Sequence, residues 1–144
     1  MGAEGPTSVT TEALFAGKKV LLVSVPGAFT PTCSMQHLPG IVTHAEDFAA
    51  KGIDTLACMA VNDVYVMNAW SEALGAGGKV LMLSDGNGDY TRALGLELDA
   101  RRLGMGMRGQ RFAIVVVDGV ADYIAVEEPA RFEVTQAESL LEAL

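Results

Sequence analysis

The sequence predicts an α/β fold, a three-layer sandwich with a central mixed sheet flanked by helices. Two patterns lead to this prediction. Short β-rich apolar runs alternate with helix-like apolar repeats, and a final pair of apolar runs is joined by an Asp-Gly hairpin signal. The chain has 144 residues, of which 50% are hydrophobic, and this is enough for one domain with its own core. We therefore expect residues 1–144 to form a single domain.

The first strand and the first helix follow from local patterns. Residues 18–25 form a short apolar run closed by Pro26, which is typical of a buried strand. From Cys33 onward, apolar residues recur at spacings of three and four and predict a helix that ends near Lys51. Pro39 lies inside this stretch and lacks a backbone N–H, so we expect it to kink the helix.

The middle of the chain repeats the alternation of strand and helix. Residues 53–61 predict a second strand, and the polar pair at 62–63 can cap a helix that stops at Gly75. Residues 79–85 predict a third strand, and residues 88–95 predict a short helix that ends at its final glycine.

The last part of the chain predicts a hairpin and a closing helix. Residues 111–126 read as two strands joined at the Asp-Gly pair 118–119. Thr135, with Glu138 three residues later, predicts a capping box before the last helix. The resulting order is β-α-β-α-β-α-β-β-α, with early parallel βαβ units and a terminal hairpin. This order is that of a thioredoxin-like fold.

Charge and composition exclude several classes of partner. The formal net charge is −8 and no cluster of basic residues is present, so nucleic acid is not expected as a partner. No apolar span approaches the roughly 18 residues of a membrane helix, and the first residues do not resemble a secretory signal. Two cysteines do not form a disulfide framework. We expect a reducing, cytoplasmic location, with a processed organellar form as the alternative.

Cys33 lies in a polar turn, where the first strand ends and the predicted helix begins. The first helical turn has unpaired N–H groups and a partial positive charge, which favour the nucleophilic thiolate over the thiol. The alternative is a small apolar residue packed under the turn. The segment reads Thr30-Pro31-Thr32-Cys33 rather than Cys-x-x-Cys, so a local disulfide cannot form. A hydroxyl beside a single thiol suits attack on a small oxygen compound.

The segment PGAFTPTCSMQHLPG resembles the active-site segment of peroxiredoxins. Pro26, Thr30 and Cys33 match the family pattern P-x-x-x-T-x-x-C, and the continuation HLPG is similar to the type II subgroup, also called the peroxiredoxin V class. Further segments similar to that subgroup occur in the right order from about Leu14 onward: VNDVYVMNAW, SDGNGDYTRALGLELD, RFAIVVVDG and FEVTQAESLL.

The resemblance implies a single redoxin domain that works as a thiol peroxidase without a cofactor. Cys33 would be the peroxidatic cysteine, which attacks the O–O bond of hydrogen peroxide or a small organic hydroperoxide and becomes a sulfenic acid. Thr30 would hold the peroxide, and Pro26 would shield the sulfenic acid. The family's arginine falls on Arg111, whose charge would stabilise the thiolate and the peroxide. Arg108 is the nearby competitor for that role.

Two interpretations remain for Cys58. It lies in an apolar strand, where a buried cysteine is usually inert, yet its place resembles that of the resolving thiol in plant-type members of the subgroup. We expect direct reduction of Cys33 by an external thiol, either glutathione with glutaredoxin or thioredoxin. The alternative is a disulfide between Cys58 and Cys33. The resemblance also implies a homodimer.

Two further motifs are assigned no ligand. Residues 104–109 satisfy G-x-G-x-x-G but precede a strand instead of opening a helix, so we expect a flexible loop that positions Arg111, not a nucleotide site. His37 and His44 are too far apart along a helix to share a metal, and we expect no metal site. His37 is expected to pack or to hydrogen-bond behind the Cys33 site.

Two other functions fit the same fold. A thiol–disulfide reductase would need the Cys-x-x-Cys motif that this chain lacks. A redox-sensing or chaperone-like module would show oxidation of Cys33 without efficient recycling by any thiol donor.

Overall fold

The computed structural model describes residues 1–144 and contains a five-stranded mixed sheet in the order β3-β2-β1-β6-β7. A second, two-stranded sheet is formed by β4 and β5. The strands are β1 (Lys19–Ser24), β2 (Thr55–Ala60), β3 (Leu81–Ser84), β4 (Glu97–Asp99), β5 (Met107–Gly109), β6 (Phe112–Val117) and β7 (Val120–Val126). The α-helices are α1 (Thr11–Phe15), α2 (Leu38–Thr43), α3 (Ala45–Ala50), α4 (Val64–Ala73), α5 (Asp89–Leu94) and α6 (Ala137–Ala143), with a π-helical turn at Cys33–His37 and a 3₁₀ turn at Arg101–Leu103.

The main sheet combines parallel and antiparallel pairs. Strands β1, β2 and β3 run parallel to one another, β6 runs antiparallel to β1, and β7 runs antiparallel to β6. In this register Val23 on β1 lies between Cys58 on β2 and Ala113 on β6. The predicted mixed sheet with early parallel strands and a final hairpin is confirmed.

Alternating residues of the sheet enter two separate cores. Leu21, Val23 and Cys58 belong to a cluster of 20 buried residues, which also holds Trp70 and Phe48 from the helices. The neighbouring residues of the same strands enter a second cluster of 9 buried residues on the other face, against α1 and α5. Because both faces of the sheet are covered, the fold is the predicted three-layer sandwich.

The hairpin between β6 and β7 turns at the predicted pair. Asp118 has φ 45° and Gly119 has φ 80°, and two successive positive φ angles are the mark of a type I′ turn. This turn twists in the same sense as the strands, which is why an Asp-Gly pair is a reliable hairpin signal.

The predicted long helix after Cys33 is three helical pieces. Helical backbone starts at Pro31 and widens into the π-helical turn Cys33–His37, where the Leu38 N–H bonds to the Cys33 carbonyl oxygen. The widened turn immediately precedes Pro39, whose ring would otherwise clash with the carbonyl four residues earlier. The expected kink is therefore present as a change of helix type, and a second break follows between α2 and α3.

The predicted capping box before the last helix is wrong. Helix α6 begins one residue later than the motif requires, so its N-cap is Gln136, which makes no side-chain capping bond. The Thr135 hydroxyl instead donates to Glu127 Oε1 at 2.9 Å. Glu127 directly follows β7 and lies eight residues before Thr135, and its buried carboxylate outcompetes the local motif because it offers a strong acceptor away from water.

The expectation of a flexible loop over residues 104–109 is also wrong in part. Met107–Gly109 is strand β5, which pairs antiparallel with β4, Leu98 lying opposite Arg108. Helix α1 and the β4–β5 pair were not predicted, since elements of five or three residues are too short to show a period. No helix of the protein has both the length and the apolar character needed to cross a membrane.

Candidate active site

Cys33 lies where β1 leads into the helical layer. The loop that follows β1 is held by the Ala28 N–H, which donates to Asn62 Oδ1 at 2.9 Å. The helical turn is held by the fully buried Trp70, whose Nε1 donates to Ser34 Oγ at 2.9 Å. Only 1% of Cys33 is exposed. The sulfur is thus held in place by a hydrogen-bonded frame, and almost none of the residue is exposed.

A guanidinium points at the sulfur of Cys33. Arg111 directly precedes β6, and its Nη2 donates to Cys33 Sγ at 3.3 Å. No carboxylate forms an ion pair with Arg111. Its positive charge is therefore uncompensated and stabilises negative charge that forms on the sulfur.

His37 holds the other terminal nitrogen of Arg111. Arg111 Nη1 donates to His37 Nδ1 at 2.9 Å, so the neutral ring must carry its proton on Nε2. Burial, and secondarily the charge of Arg111, lower the pKa of His37 to about 3. The Thr135 backbone has a smaller effect in the opposite direction and raises this pKa. By ordinary geometric criteria, His37 Nε2 has no hydrogen-bond partner. The expectation that His37 would pack or hydrogen-bond behind the site is confirmed.

Phe132 and Glu127 complete the support of Arg111, and the sequence did not single them out. The Phe132 ring lies 5.5 Å below the guanidinium carbon and 5.0 Å from the His37 ring. Glu127 Oε1 accepts hydrogen bonds from the N–H groups of Glu133 and Thr135, in addition to the Thr135 hydroxyl. This carboxylate thereby fixes the loop that carries Phe132. The sequence signal for Glu127 was a charged residue directly after an apolar strand.

Thr30 lies three residues before Cys33, at the start of the helical layer. Its hydroxyl donates to the Gly27 carbonyl oxygen at 2.6 Å, so its proton is already used and its remaining capacity is to accept. A hydroperoxide O–H is a suitable donor for that oxygen. The N–H groups of Thr32 and Cys33 make no hydrogen bond within the protein. They remain available as the first-turn donors that the sequence predicted.

The remaining predicted site residues differ in how they relate to Cys33. Pro26 is half-buried at the end of β1, and Phe29 beyond it has φ 60° and is 57% exposed. Cys58 is a fully buried free thiol in the middle of β2. Burial raises the pKa of the Cys58 thiol, and the neighbouring sulfur of Cys33 acts in the same direction. Arg108 does not contact Cys33, so the choice of Arg111 over Arg108 agrees with the geometry.

A family model described as Redoxin matches residues 1–141. The chain is 44% identical over 137 residues to Peroxiredoxin-2B of Arabidopsis thaliana, a match that covers 95% of this chain and 85% of that protein. The chain belongs to the peroxiredoxin family. Chloroplastic Peroxiredoxin-2E of the same plant is 50% identical to this peroxiredoxin over 139 residues, which cover 95% of this chain and 59% of the relative. This peroxiredoxin thus spans about three-fifths of that relative's length.

A solved structure, that of reduced Prx3 from Vibrio vulnificus in complex with hydrogen peroxide, is similar to this peroxiredoxin. The TM-score is 0.88 at 52% sequence identity, and the match covers 91% of this chain and 84% of the other. The thioredoxin-like architecture is shared along almost the whole domain.

The pKa of His37 has a consequence for the stability of this peroxiredoxin. The unfolded ring protonates near pH 6.5, whereas the folded ring stays neutral to about pH 3. The unfolded state therefore binds more protons as the pH falls through this window, and stability falls with it. We expect His37→Asn, which keeps an oxygen acceptor for Arg111 but does not titrate, to lose less stability than the wild type between pH 6.5 and 4. The limiting slope of the difference is about 1.4 kcal/mol per pH unit.

Urea unfolding at a series of pH values measures this effect. The matched control is His44→Asn, because His44 is partly exposed and its bond to Asp47 raises its pKa. A raised pKa contributes stability at low pH that is lost as the pH rises, so this control does not flatten the acid slope. Parallel acid slopes for the wild type and His37→Asn would contradict the prediction.

Proposed function

We propose that this peroxiredoxin is a thiol-dependent peroxidase that reduces hydrogen peroxide and small organic hydroperoxides at Cys33. The observation that carries the proposal is the 3.3 Å contact between Arg111 Nη2 and Cys33 Sγ. This guanidinium has no carboxylate partner and is held by a neutral histidine, so its charge acts on the sulfur. The similarity to a protein solved with hydrogen peroxide supports the same substrate class.

The oxidation step follows from the donors and acceptors around the sulfur. The Cys33 thiolate attacks the terminal oxygen of the hydroperoxide, an S–O bond forms, and the O–O bond breaks. Sulfur loses two electrons and becomes a sulfenic acid, while the leaving oxygen takes up a proton as water or an alcohol. Thr30 Oγ1 accepts from the peroxide O–H, and Arg111 and the free first-turn N–H groups stabilise the developing negative charge.

An external thiol completes the cycle in this proposal. It displaces water from the sulfenic acid to form a mixed disulfide, and a second thiol reduces that disulfide and restores Cys33. The donors we propose are glutathione with glutaredoxin, or thioredoxin. Cys58 is a poor candidate for the resolving thiol, because it is buried in the interior strand β2, which pairs on both sides. Its exposure would require two strand ladders to open.

Direct recycling predicts that Cys58 is dispensable. We expect Cys58→Ala to retain both the oxidation of Cys33 and steady-state turnover with glutathione and glutaredoxin, within about threefold of the wild type, and to lose some stability from the cavity. Coupled NADPH consumption measures turnover, and rapid-quench mass spectrometry measures the first oxidation. If this variant oxidises normally but does not turn over, the resolving disulfide is the correct route.

Stoichiometric oxidation tests the proposed function itself. We expect one equivalent of hydrogen peroxide to add one oxygen per chain, and peptide mapping after dimedone labelling to place it on Cys33. Cys58 is the internal control, because its thiol has the same chemistry but is fully buried. Equal labelling of both cysteines, or labelling of neither, would overturn the proposal.

We also propose a homodimer with a cytoplasmic location. Two large apolar side chains beside Cys33 support association, since Phe29 is 57% exposed and Met35 is 77% exposed. Burial of these side chains in a dimer would remove exposed apolar surface close to Cys33 in the chain.

A further inference from the structure

A second guanidinium, that of Arg108, lies against the loop that leads from β1 to Cys33. A Cβ atom built on Gly27 would lie 3.5 Å from Arg108 Nη1 and 3.1 Å from Thr30 Cγ2. The two side chains therefore face the same point on the loop before Cys33. The guanidinium is anchored by one hydrogen bond, from Arg108 Nε to the Met105 carbonyl oxygen at 2.7 Å. Its backbone is fixed in strand β5.

The two terminal nitrogens of Arg108 have no partner in the protein. No carboxylate forms an ion pair with this side chain, and its Nε makes its only hydrogen bond. Among fully buried side-chain nitrogens and oxygens, only His37 Nε2 lacks a partner, so the free nitrogens of Arg108 reach solvent. Arg108 thus differs from the arginines that pair with a carboxylate, which are Arg92, Arg101 and Arg131.

We propose that Arg108 binds the carboxylate of an acidic reactant while that reactant engages Cys33. The inference rests on the proposed peroxidase function, since it names a substrate class for the same site. A guanidinium offers parallel N–H donors that match the two oxygens of a carboxylate. The carboxylate can belong to the thiol that reduces the sulfenic acid or to the hydroperoxide that forms it.

The charge of the protein explains why the Cys33 site would need such a residue. The chain has a formal net charge of −8, which repels small acidic molecules from most of its surface. Arg111 already uses one N–H of each terminal nitrogen on His37 and Cys33, so it does not present a free pair of parallel donors to a carboxylate. Arg108 has free terminal nitrogens and lies against the same loop as Thr30, whose oxygen would accept a hydrogen bond from the peroxide.

Alkylation of Cys33 tests the proposal without any redox chemistry. Iodoacetate and iodoacetamide both transfer a carbon to the thiolate with loss of iodide, but only iodoacetate carries a carboxylate. We expect Arg108→Gln to lower the ratio of the iodoacetate rate to the iodoacetamide rate by about three- to tenfold. The matched control is Arg102→Gln. It removes the same charge from an exposed, unpaired side chain in the turn between β4 and β5. Peptide mapping assigns the product to Cys33.

Two further comparisons identify the source of the carboxylate. In the reducing arm, wild type and Arg108→Gln in the sulfenic acid form react with 3-mercaptopropionate, 2-mercaptoethanol or cysteamine, which carry charges of −1, 0 and +1. In the oxidising arm, the reduced proteins react with linoleic acid hydroperoxide or its methyl ester. Because each reactant is compared between variants, its intrinsic reactivity cancels. A selective loss for the acidic member in one arm assigns the carboxylate to the thiol or to the hydroperoxide.

The outcomes separate this inference from the peroxidase proposal. A selective loss of iodoacetate reactivity in Arg108→Gln alone supports the carboxylate site, even if hydrogen peroxide fails to oxidise Cys33. An equal loss for iodoacetate and iodoacetamide overturns it. The same selective loss in Arg102→Gln also overturns it, because the effect would then come from the overall field of the protein.

Discussion

Replacement of Cys33 by serine is expected to abolish peroxide consumption while leaving the fold intact. Serine places a hydroxyl where the thiolate was, and an alcohol without an adjacent general base is not a nucleophile near neutral pH. The imidazole beside the site is that of His37, and its Nδ1 lone pair is already used by Arg111. No group is therefore placed to take the serine proton. The expected rate with hydrogen peroxide is that of the buffer alone.

The serine hydroxyl can still accept the Arg111 bond, so the buried site keeps a polar partner. We expect the free energy of urea unfolding to fall by about 1 to 2 kcal/mol at most. Peroxide loss followed by a colorimetric assay gives the activity, and Cys58→Ala is the matched control for the removal of one thiol. Peroxide consumption by Cys33→Ser at a rate close to that of the wild type would place the chemistry at another residue.

The local part of the site was predictable because its signals are close together in sequence. The end of a buried strand, the start of a helix and the cysteine in its first turn fall within the stretch from Ser24 to Cys33. The arginine was found from its position directly before an apolar strand, a pattern that the family resemblance supplied. The contact between Cys33 and Arg111 joins segments far apart in the chain, and only the sheet register brings them together.

The supporting residues could not be predicted from local patterns. Their roles depend on contacts outside the local motif, or on irregular segments that show no hydrophobic period. Thr135 and Glu138 had the spacing of a capping box, but that motif does not report the buried carboxylate of Glu127, which lies upstream of it, directly after β7. Phe132 lies in an irregular loop, so no hydrophobic period marks which face it presents. Strand β5, which carries Arg108, could not be predicted for a related reason, since three residues are too few to show an alternating pattern.

Replacement of Arg111 is expected to have the second-largest effect, and two variants separate its charge from its shape. Arg111 Nη1 bonds to His37 and Nη2 to Cys33, so one rigid plane fixes the direction of the donor that faces the sulfur. Arg111→Gln removes the charge, and we expect the rate of Cys33 oxidation by hydrogen peroxide to fall by about 10² to 10³, as when a preorganised donor to a developing anion is removed.

Lysine retains the charge but has a single nitrogen on a flexible stem, which cannot bond to both partners at once. We therefore expect Arg111→Lys to lie between the wild type and Arg111→Gln, with a loss of about 10-fold or more. Stopped-flow mixing at pH 7, with oxidation followed by rapid-quench mass spectrometry, measures both rates. Arg92→Gln is the control for a change of net charge, because that arginine is exposed and paired with Asp89. If the rate of Cys33 oxidation in Arg111→Gln is within about threefold of the wild-type rate, the guanidinium does not stabilise the reacting sulfur. The contact between Arg111 and Cys33 would then not contribute to catalysis.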